Sequence, residues 1–292
     1  MSMCIAVAGA SGVVGRRLTE LLHARHEVRS LTRSPEDAAR RGVRGRLIRA
    51  DFGRRAGLER VLEGVDALFV ATFDPVDPRH DAHLAAAARA AGVRHVVKLS
   101  ALAVADADAQ DLVTRWQREC EHLWRDSGPT WTLLRPRSFM SNCLSWAGAV
   151  RAGEPVRALG GDTRNACVDP SDVAEVAARA LTDPAHRGRA YALTGPQALS
   201  VRDQVARLGE LLQQTVLYEE LTEREALVRW RARYPEPLAR AMLEMAGRQA
   251  AGAKTAVTED VPRITGRPAA TFGTWARGNI DAFRPDRDPN AF

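Results

Sequence analysis

A glycine-rich turn between a short apolar run and an amphipathic helix constrains this chain more than any other feature. Residues 4–8 are apolar, which is typical of a buried parallel strand, and Leu18–Leu22 carries leucines at helical spacing. Gly9 allows a sharp turn, Gly12 lets a pyrophosphate approach the backbone, and Gly15 lets the helix lie close on the sheet. The spacing is G-x-x-G-x-x-G, for which an ordinary tight turn is the alternative. The strand before it and the helix after it favour a dinucleotide-binding site.

Short apolar strands alternate with helical patterns through the first half of the chain. This alternation predicts an α/β fold with a Rossmann-like, doubly wound parallel sheet, in which ligands bind beyond the carboxyl ends of the strands. The predicted strands are residues 4–8, 27–32, 45–50, 67–73, 93–100 and 131–135, and residues 181–196 complete the sheet. The predicted helices between them include residues 58–62, 83–91 and 111–125.

The end of the second strand indicates which nicotinamide cofactor is bound. An NAD site has an Asp or Glu at this position to bind the ribose 2′-hydroxyl, whereas this chain has Arg33, with hydroxyls at Thr32 and Ser34. A guanidinium can bind a 2′-phosphate through two hydrogen bonds, so the sequence favours NADPH. An exposed loop arginine in an arginine-rich protein is the alternative.

The ends of the third and fourth strands offer further cofactor contacts. Asp51 and Phe52 can hydrogen-bond and cover an adenine ring, or they are a capping carboxylate and a core aromatic residue. Thr72 and Phe73 end the fourth strand and are expected against the middle of the cofactor.

Several motifs resemble those of the NmrA-like atypical short-chain dehydrogenase/reductases. They are residues 9–15, 31–33, 97–101, 127–136 with 139–142, 168–174 and 191–196, and the resemblance covers about the whole chain. The family contains reductases of ketones, quinones and azo dyes as well as nucleotide-sensing regulators. The resemblance therefore implies the fold and NADPH, and it leaves the substrate open.

The same resemblance implies which residues contact the cofactor. The pyrophosphate would be held by Gly9, Ser11, Gly12, Val13 and Val14. The 2′-phosphate, the adenine and the inner ribose would be bound by Arg33, by Asp51 with Phe52, and by Thr72 with Phe73. The nicotinamide would be framed by Ser100, Pro136 and Phe139.

The chain lacks the Tyr-x-x-x-Lys pair that is common in the larger superfamily, where the tyrosine protonates the carbonyl oxygen. Its three tyrosines, none followed by lysine at the fourth position, are Tyr191, Tyr218 and Tyr234. The helix that would carry the pair offers Thr114, Trp116 and Gln117. Ser100 is then the best candidate for a catalytic residue that touches the carbonyl.

Two functions are compatible with the absence of the Tyr-x-x-x-Lys pair. Hydride can go to an acceptor that needs little help with its proton, such as a quinone or a carbonyl whose neighbouring phenol donates internally. Alternatively, the protein senses the redox state of NADP(H) without turnover.

We expect two parts, a dinucleotide-binding Rossmann core at 1–136 and a substrate-binding part at 137–292 that is interleaved with the last sheet strands.

Apolar side chains that follow the sixth strand either line a pocket or pack in the core; they are Phe139, Met140, Leu144 and Trp146, with Ser141 and Asn142 as polar groups in reach. Helices predicted at 201–212, 223–234 and 238–249 form either a lid at 201–250 or ordinary core packing. Residues 256–292 are predicted to be loop, helix and loop.

Composition excludes several classes of function. The net charge is +6, but only Lys98 and Lys254 are lysines among 42 basic residues, and no basic run is interleaved with aromatic residues, so we expect no nucleic-acid partner. No apolar stretch is long enough to span a membrane and no signal peptide is visible, so we expect a cytoplasmic protein without a membrane partner, as monomer or dimer. Four scattered cysteines, without metal-ligand spacing, are expected to be reduced and no metal is expected; they are Cys4, Cys120, Cys143 and Cys167.

These features predict an NADPH-dependent reductase, a ketoreductase, that acts on a small, apolar, polycyclic aromatic carbonyl compound or quinone. The absence of the Tyr-x-x-x-Lys pair, together with the expected lid, makes the chain resemble the ketoreductases that modify angucyclinone antibiotics. That similarity implies a polyketide substrate and antibiotic biosynthesis, and the missing tyrosine is compatible with a proton supplied by the substrate. The alternatives are an NADP(H)-sensing regulator and a general quinone or azo reductase.

Overall fold

The computed structural model describes residues 2–285, which fall into two units. The first unit contains the chain up to Pro136, together with Pro170–Leu193 and Glu259–Pro268. The second unit contains Arg137–Asp169, Thr194–Thr258 and the described residues after Pro268. Residues 170–193 and 259–268 fall in the first unit, and the division into a cofactor-binding and a substrate-binding part stays a prediction. Of the tail predicted at 256–292, residues 286–292 lie outside the described part of the chain.

Strands and helices alternate along the described chain. The strands are β1 (Cys4–Ala8), β2 (Glu27–Thr32), β3 (Arg46–Arg49), β4 (Ala67–Val70), β5 (His95–Leu99), β6 (Thr130–Pro136), β7 (Val156–Ala158), β8 (Arg189–Leu193) and β9 (Tyr218–Glu220). The first helices are α1 (Val13–Leu22), α2 (Pro35–Arg40), α3 (Leu58–Leu62), α4 (Arg79–Ala90), α5 (Leu112–Asp126) and α6 (Ala147–Arg151). The remaining helices are α7 (Pro170–Thr182), α8 (Val201–Leu212), α9 (Glu223–Arg231), α10 (Glu236–Ala250), α11 (Asp260–Thr265) and α12 (Phe272–Gly278).

The first unit is built on a seven-stranded sheet in the order β3-β2-β1-β4-β5-β6-β8, and all of its strand pairs are parallel. Helices cover both faces of such a sheet, so β1 and β4 at its centre are apolar, and all four residues of β4 are buried. Strand order reverses direction between β1 and β4, which creates the crevice where such sheets bind nucleotides. The predicted Rossmann-like α/β fold is confirmed.

The second unit has its own apolar core and a two-stranded parallel sheet of β7 and β9. Helix α8 begins with a capping box between Ser200 and Asp203, and its buried Leu208 packs in a cluster with Phe272 and Trp275. Helix α9 begins with a second capping box and lies beside α10. The predicted lid at 201–250 therefore includes one core helix of this unit, and closure by the other two helices stays a prediction.

Three further observations concern the described residues 2–285. All four cysteines are free thiols, as expected. No cluster of His, Cys, Asp and Glu in this part of the chain could hold a metal ion. None of its helices has the length and hydropathy needed to cross a membrane.

Candidate functional site

The turn after β1 can be formed only by glycines at two positions. Gly9 has a φ of +90°, and a Cβ atom there would lie 2.5 Å from the carbonyl oxygen of Ala71. A Cβ at Gly15 would lie 2.1 Å from the carbonyl oxygen of Gly9, so Gly15 makes room for the turn itself rather than for the sheet that we expected. A Cβ at Gly12 would make one tight contact, with the Gly9 oxygen at 3.3 Å. The glycine spacing thus brings the start of α1 against the turn.

Helix α1 presents its N-terminus at this turn. Gly12 is the N-cap and has no side chain to bond the first helical N–H groups, which are left for a ligand. Ser11 and Val13 are exposed, whereas the Val14 side chain is 2% exposed and can offer only its backbone. This arrangement suits an anion such as a pyrophosphate.

A cleft of about 410 Å³ lies in the first unit beside the glycine turn, at the carboxyl ends of β2, β3 and β4. Seven of the predicted cofactor residues line it, namely Gly9, Ser11, Arg33, Asp51, Phe52, Thr72 and Phe73. Gly12, Val13 and Val14 are at the adjacent helix start and are not part of its wall. The structure adds Arg41 and His80, which were not predicted, and the His80 ring meets Phe52 edge-on at 6.5 Å.

Two cations face this cleft without an acidic partner. Arg33 and Arg41 are exposed, and neither guanidinium pairs with a carboxylate in the described part of the chain. Helix α2 places Arg41, and its start is fixed by the Ser34 hydroxyl, which accepts a hydrogen bond from the Asp37 N–H. The sequence Ser-Pro-Glu-Asp at 34–37 was a helix-start signal that we did not use. The site has room and charge for a 2′-phosphate.

A buried ion pair lies directly beneath Thr72. Lys98 Nζ is 3.0 Å from Asp81 Oδ1 and donates to Thr72 Oγ1 at 3.0 Å. The Thr72 hydroxyl in turn donates to Asp81 Oδ2, and Trp124 Nε1 donates to Asp81 Oδ1 at 2.7 Å. The side chains of Lys98 and Asp81 are 0% and 1% exposed. This network holds Thr72 at the edge of the cofactor cleft.

The ion pair sets the protonation of its carboxylate. Burial by itself raises the pKa of Asp81, because it disfavours the charged form. The Lys98 ammonium and the hydrogen bonds from Thr72 and Trp124 outweigh burial, so the pKa of Asp81 lies below its ordinary value. Asp81 is therefore ionised at neutral pH.

On helix α5, none of Thr114, Trp116 and Gln117 supplies an acid in place of the missing tyrosine. The Thr114 hydroxyl donates to Asp111 Oδ2 at 2.7 Å within the helix cap. The Trp116 ring meets Phe73 edge-on at 5.6 Å, with Lys98 Nζ 5.4 Å from its centre. Trp116 Nε1 and Gln117 Oε1 are buried and have no hydrogen-bond partner among residues 2–285.

Ser100, the predicted catalytic residue, is 5% exposed and its proton is already engaged. Its hydroxyl donates to Glu121 Oε1 at 2.6 Å. Arg135 holds both oxygens of the same carboxylate at 2.8 and 2.6 Å. A hydroxyl that donates to a carboxylate cannot donate to a substrate at the same time. Direct contact between Ser100 and a carbonyl stays a prediction that this geometry does not favour.

The two remaining predicted residues belong to different units. Pro136 ends β6 and pairs with Leu193 in the first unit. Phe139 forms a bridge with Val168 in the second unit. Their contact with the nicotinamide stays a prediction.

The second unit contains a larger cleft, of about 800 Å³, which we name the arginine cleft. Its lining consists of Ser141, Asn142, Ser145, Trp146, Arg157, Ala158, Leu159, Leu221, Ala226, Arg229, Trp230, Ala232, Arg233, Tyr234 and Met242. Trp146, Ser141 and Asn142 were predicted near a pocket, whereas Met140 is 3% exposed and belongs to the core. The sequence did not single out the arginines of this cleft, because the chain contains many arginines.

Comparison with known proteins places this architecture in a family. The NAD(P)H-binding family matches residues 9–184. The chain is 49% identical over 282 residues to the (4-alkanoyl-5-oxo-2,5-dihydrofuran-3-yl)methyl phosphate reductase of Streptomyces griseus, which covers 97% of this chain and all of that protein. It is 34% identical to the NAD(P)H azoreductase of Xenophilus azovorans, over 96% of this chain and 99% of that one.

A solved structure supports the same family. The NADPH-dependent quinone oxidoreductase of Escherichia coli in complex with NADPH superposes with a TM-score of 0.79 and 26% identity, over 95% of this chain and 98% of that one. The chain therefore belongs to the NAD(P)H-binding family of atypical short-chain dehydrogenase/reductases and is an NAD(P)H-dependent oxidoreductase.

Proposed function

We propose that this oxidoreductase reduces an alkanoyl-substituted 5-oxo-2,5-dihydrofuran, an electron-poor alkene conjugated to two carbonyl groups. The observation that carries the proposal is that neither the Ser100 hydroxyl nor the Thr72 hydroxyl is free to act as an acid. The Ser100 hydroxyl donates to Glu121, the Thr72 hydroxyl donates to Asp81, and the Tyr-x-x-x-Lys pair is absent. A ketone would need such an acid, since hydride addition makes it a strongly basic alkoxide.

The proposed acceptor stabilises its own negative charge. NADPH, when bound, supplies a hydride. Addition of the hydride to the ring carbon that bears the phosphomethyl group breaks the carbon–carbon π bond and moves its electron pair to the neighbouring carbon. That carbon lies between the lactone carbonyl and the alkanoyl carbonyl, so the charge is delocalised over two oxygens as an enolate. Protonation of this carbon by water then completes the reduction.

The relative from Streptomyces griseus supports this acceptor, because its name describes a reductase of such a dihydrofuran phosphate and it is 49% identical along the whole chain. In our proposal Arg33, with Arg41 beside it, selects NADPH by binding the 2′-phosphate, and Asp51 with Phe52 binds the adenine. The glycine turn at the start of α1 binds the pyrophosphate.

The second candidate is the polycyclic aromatic polyketide carbonyl or quinone that the sequence predicted. The aromatic side chains of the arginine cleft favour it, namely Trp146, Trp230 and Tyr234. So does the resemblance to angucyclinone ketoreductases such as that of simocyclinone. A quinone also stabilises the charge that hydride addition leaves.

The test is NADPH oxidation by the purified protein with a panel of acceptors. The panel contains an alkanoyl dihydrofuranone with its phosphomethyl group, a naphthoquinone, an angucyclinone ketone and an azo dye. We expect the highest kcat/KM for the dihydrofuranone phosphate. A higher value for the angucyclinone or the quinone contradicts the first proposal and supports the second candidate.

A further inference from the structure

The arginine cleft is formed by elements of the second unit. Its walls come from the 3-10 helix Met140–Trp146, from β7 and from α9 with the turn that follows it, and Met242 of α10 completes it. Arg229 lies in the last turn of α9 and Arg233 lies just after its end. Residues four apart on a helical path lie on one side of it, so both arginines can face the same space.

The charge of this cleft has one sign. Three arginines line it and no Asp or Glu does. The Nε of Arg157 is 2.7 Å from Glu219 Oε2, so the charge of Arg157 is partly neutralised. Neither Arg229 nor Arg233 has a carboxylate partner within residues 2–285, although Arg231 between them pairs with Glu236 at 2.5 Å. Arg229 Nη1 donates to the carbonyl oxygen of Arg157 at 3.4 Å, which leaves the rest of this guanidinium and that of Arg233 for an anion from outside the chain.

The rest of the lining limits the kind of anion. Trp146, Trp230, Tyr234 and Met242 provide apolar surface beside the cations. The hydroxyl of Ser145 donates to the carbonyl of Asn142, within the same wall. A ligand that fits all of these side chains has a compact anionic end and an apolar body.

We propose that the arginine cleft binds the phosphate monoester of an otherwise apolar substrate, through Arg229 and Arg233. The identity of that substrate rests on the proposed function, whereas the phosphate site rests on the cleft. Guanidiniums bind phosphate oxygens through paired, charge-assisted hydrogen bonds, which makes arginine better suited than lysine to this task. The alkanoyl chain then lies along the aromatic side chains.

The first experiment compares the alkanoyl dihydrofuranone phosphate with the same compound carrying a free hydroxymethyl group. We expect Arg229→Gln and Arg233→Gln each to raise KM for the phosphate about 10- to 100-fold, the range for a hydrogen bond to a charged group, with kcat nearly unchanged. KM for the alcohol should not change. Arg224→Gln is the matched control, since Arg224 is exposed on α9 and lies outside the cleft. Equal KM values for phosphate and alcohol in the wild type overturn the proposal while leaving the proposed function intact.

A binding experiment separates this proposal from the proposed function. Phenyl phosphate is titrated calorimetrically into the protein saturated with NADP⁺, so that the cofactor cleft is already filled. We expect binding by the wild type and by Arg224→Gln, and a loss of at least about tenfold in Arg229→Gln and Arg233→Gln. This result supports the phosphate site even if no dihydrofuranone is turned over. Unchanged binding in the two cleft variants, or no binding by the wild type, overturns it.

Discussion

Replacement of Lys98 by methionine probes the ion pair beneath the cofactor cleft. Methionine keeps most of the aliphatic volume of lysine and removes the ammonium, which lies 3.0 Å from Asp81 Oδ1. Asp81 then keeps the hydrogen bonds from Thr72 and Trp124, at a side-chain exposure of 1%. Loss of one partner from such a buried pair costs about 3–5 kcal/mol. That is a large part of the roughly 5–15 kcal/mol by which a typical protein is stable.

The assay is urea denaturation at neutral pH, with three variants beside the wild type. We expect Lys98→Met to lose about 3–5 kcal/mol in the free energy of unfolding. The double variant Lys98→Met with Asp81→Asn carries no buried charge and keeps an oxygen that Trp124 can bond, so it should be more stable than Lys98→Met alone. Asp81→Asn completes the cycle. Losses that add across the two positions, or a loss below about 1 kcal/mol for Lys98→Met, would refute the buried-pair argument.

The pH dependence follows from the lowered pKa of Asp81. A carboxylate with a depressed pKa in the folded state contributes stability above the pKa of an unfolded Asp, about 3.9, and that contribution is lost as the pH falls through the folded-state value. In Lys98→Met burial is no longer opposed by the ammonium, so the pKa of Asp81 should rise. The stability gap between the two proteins should therefore be widest at pH 7 and above and should narrow as Asp81 protonates. A gap that widens on acidification contradicts this sign.

Three further predictions concern the cofactor site. Arg33→Ala should weaken NADPH binding by about 1.5–3 kcal/mol in a fluorescence titration while barely changing NADH binding, and equal losses for both cofactors would contradict the 2′-phosphate assignment. Gly15→Ala should abolish NADPH binding, because its Cβ would lie 2.1 Å from the Gly9 oxygen, whereas Gly148→Ala, which meets nothing within 4 Å, should bind normally; tight binding by both variants would disprove the close approach. Ser100→Ala should lower kcat by less than about tenfold, because its hydroxyl already donates to Glu121, and a loss of several orders of magnitude would show that this serine is the essential acid.

Much of the fold could be predicted because local signals agreed with the tertiary structure. The strand at Glu27–Thr32 and the helices at Leu58–Leu62 and Val201–Leu212 were predicted with the bounds that the structure shows. Strands β7 and β9 were missed, since each has three residues and about 60 residues separate them. Such a short pair forms only when the chain around it is already folded, so periodicity cannot reveal it.

The cofactor cleft could be predicted better than the substrate side. Arg33 follows a strand at a fixed distance from the glycine turn, and that distance carries the signal. Arg41 was missed along with helix α2, although Ser34 before Pro35 indicated a helix start. Arg229 and Arg233 resemble every other arginine in the sequence. Only the structure shows that, within residues 2–285, their neighbour Arg231 has an acidic partner and they do not.

The fate of the hydride tests the central claim most directly. The protein is incubated in ordinary water with the alkanoyl dihydrofuranone phosphate and NADPH deuterated at the transferable position, in separate reactions for the two faces, and the product is examined by NMR. We expect deuterium from one of the two cofactors on the ring carbon that bears the phosphomethyl group, and protium from water on the carbon between the carbonyls. Deuterium on the carbon of the alkanoyl carbonyl, or a product without deuterium from either cofactor, would contradict the proposed reduction.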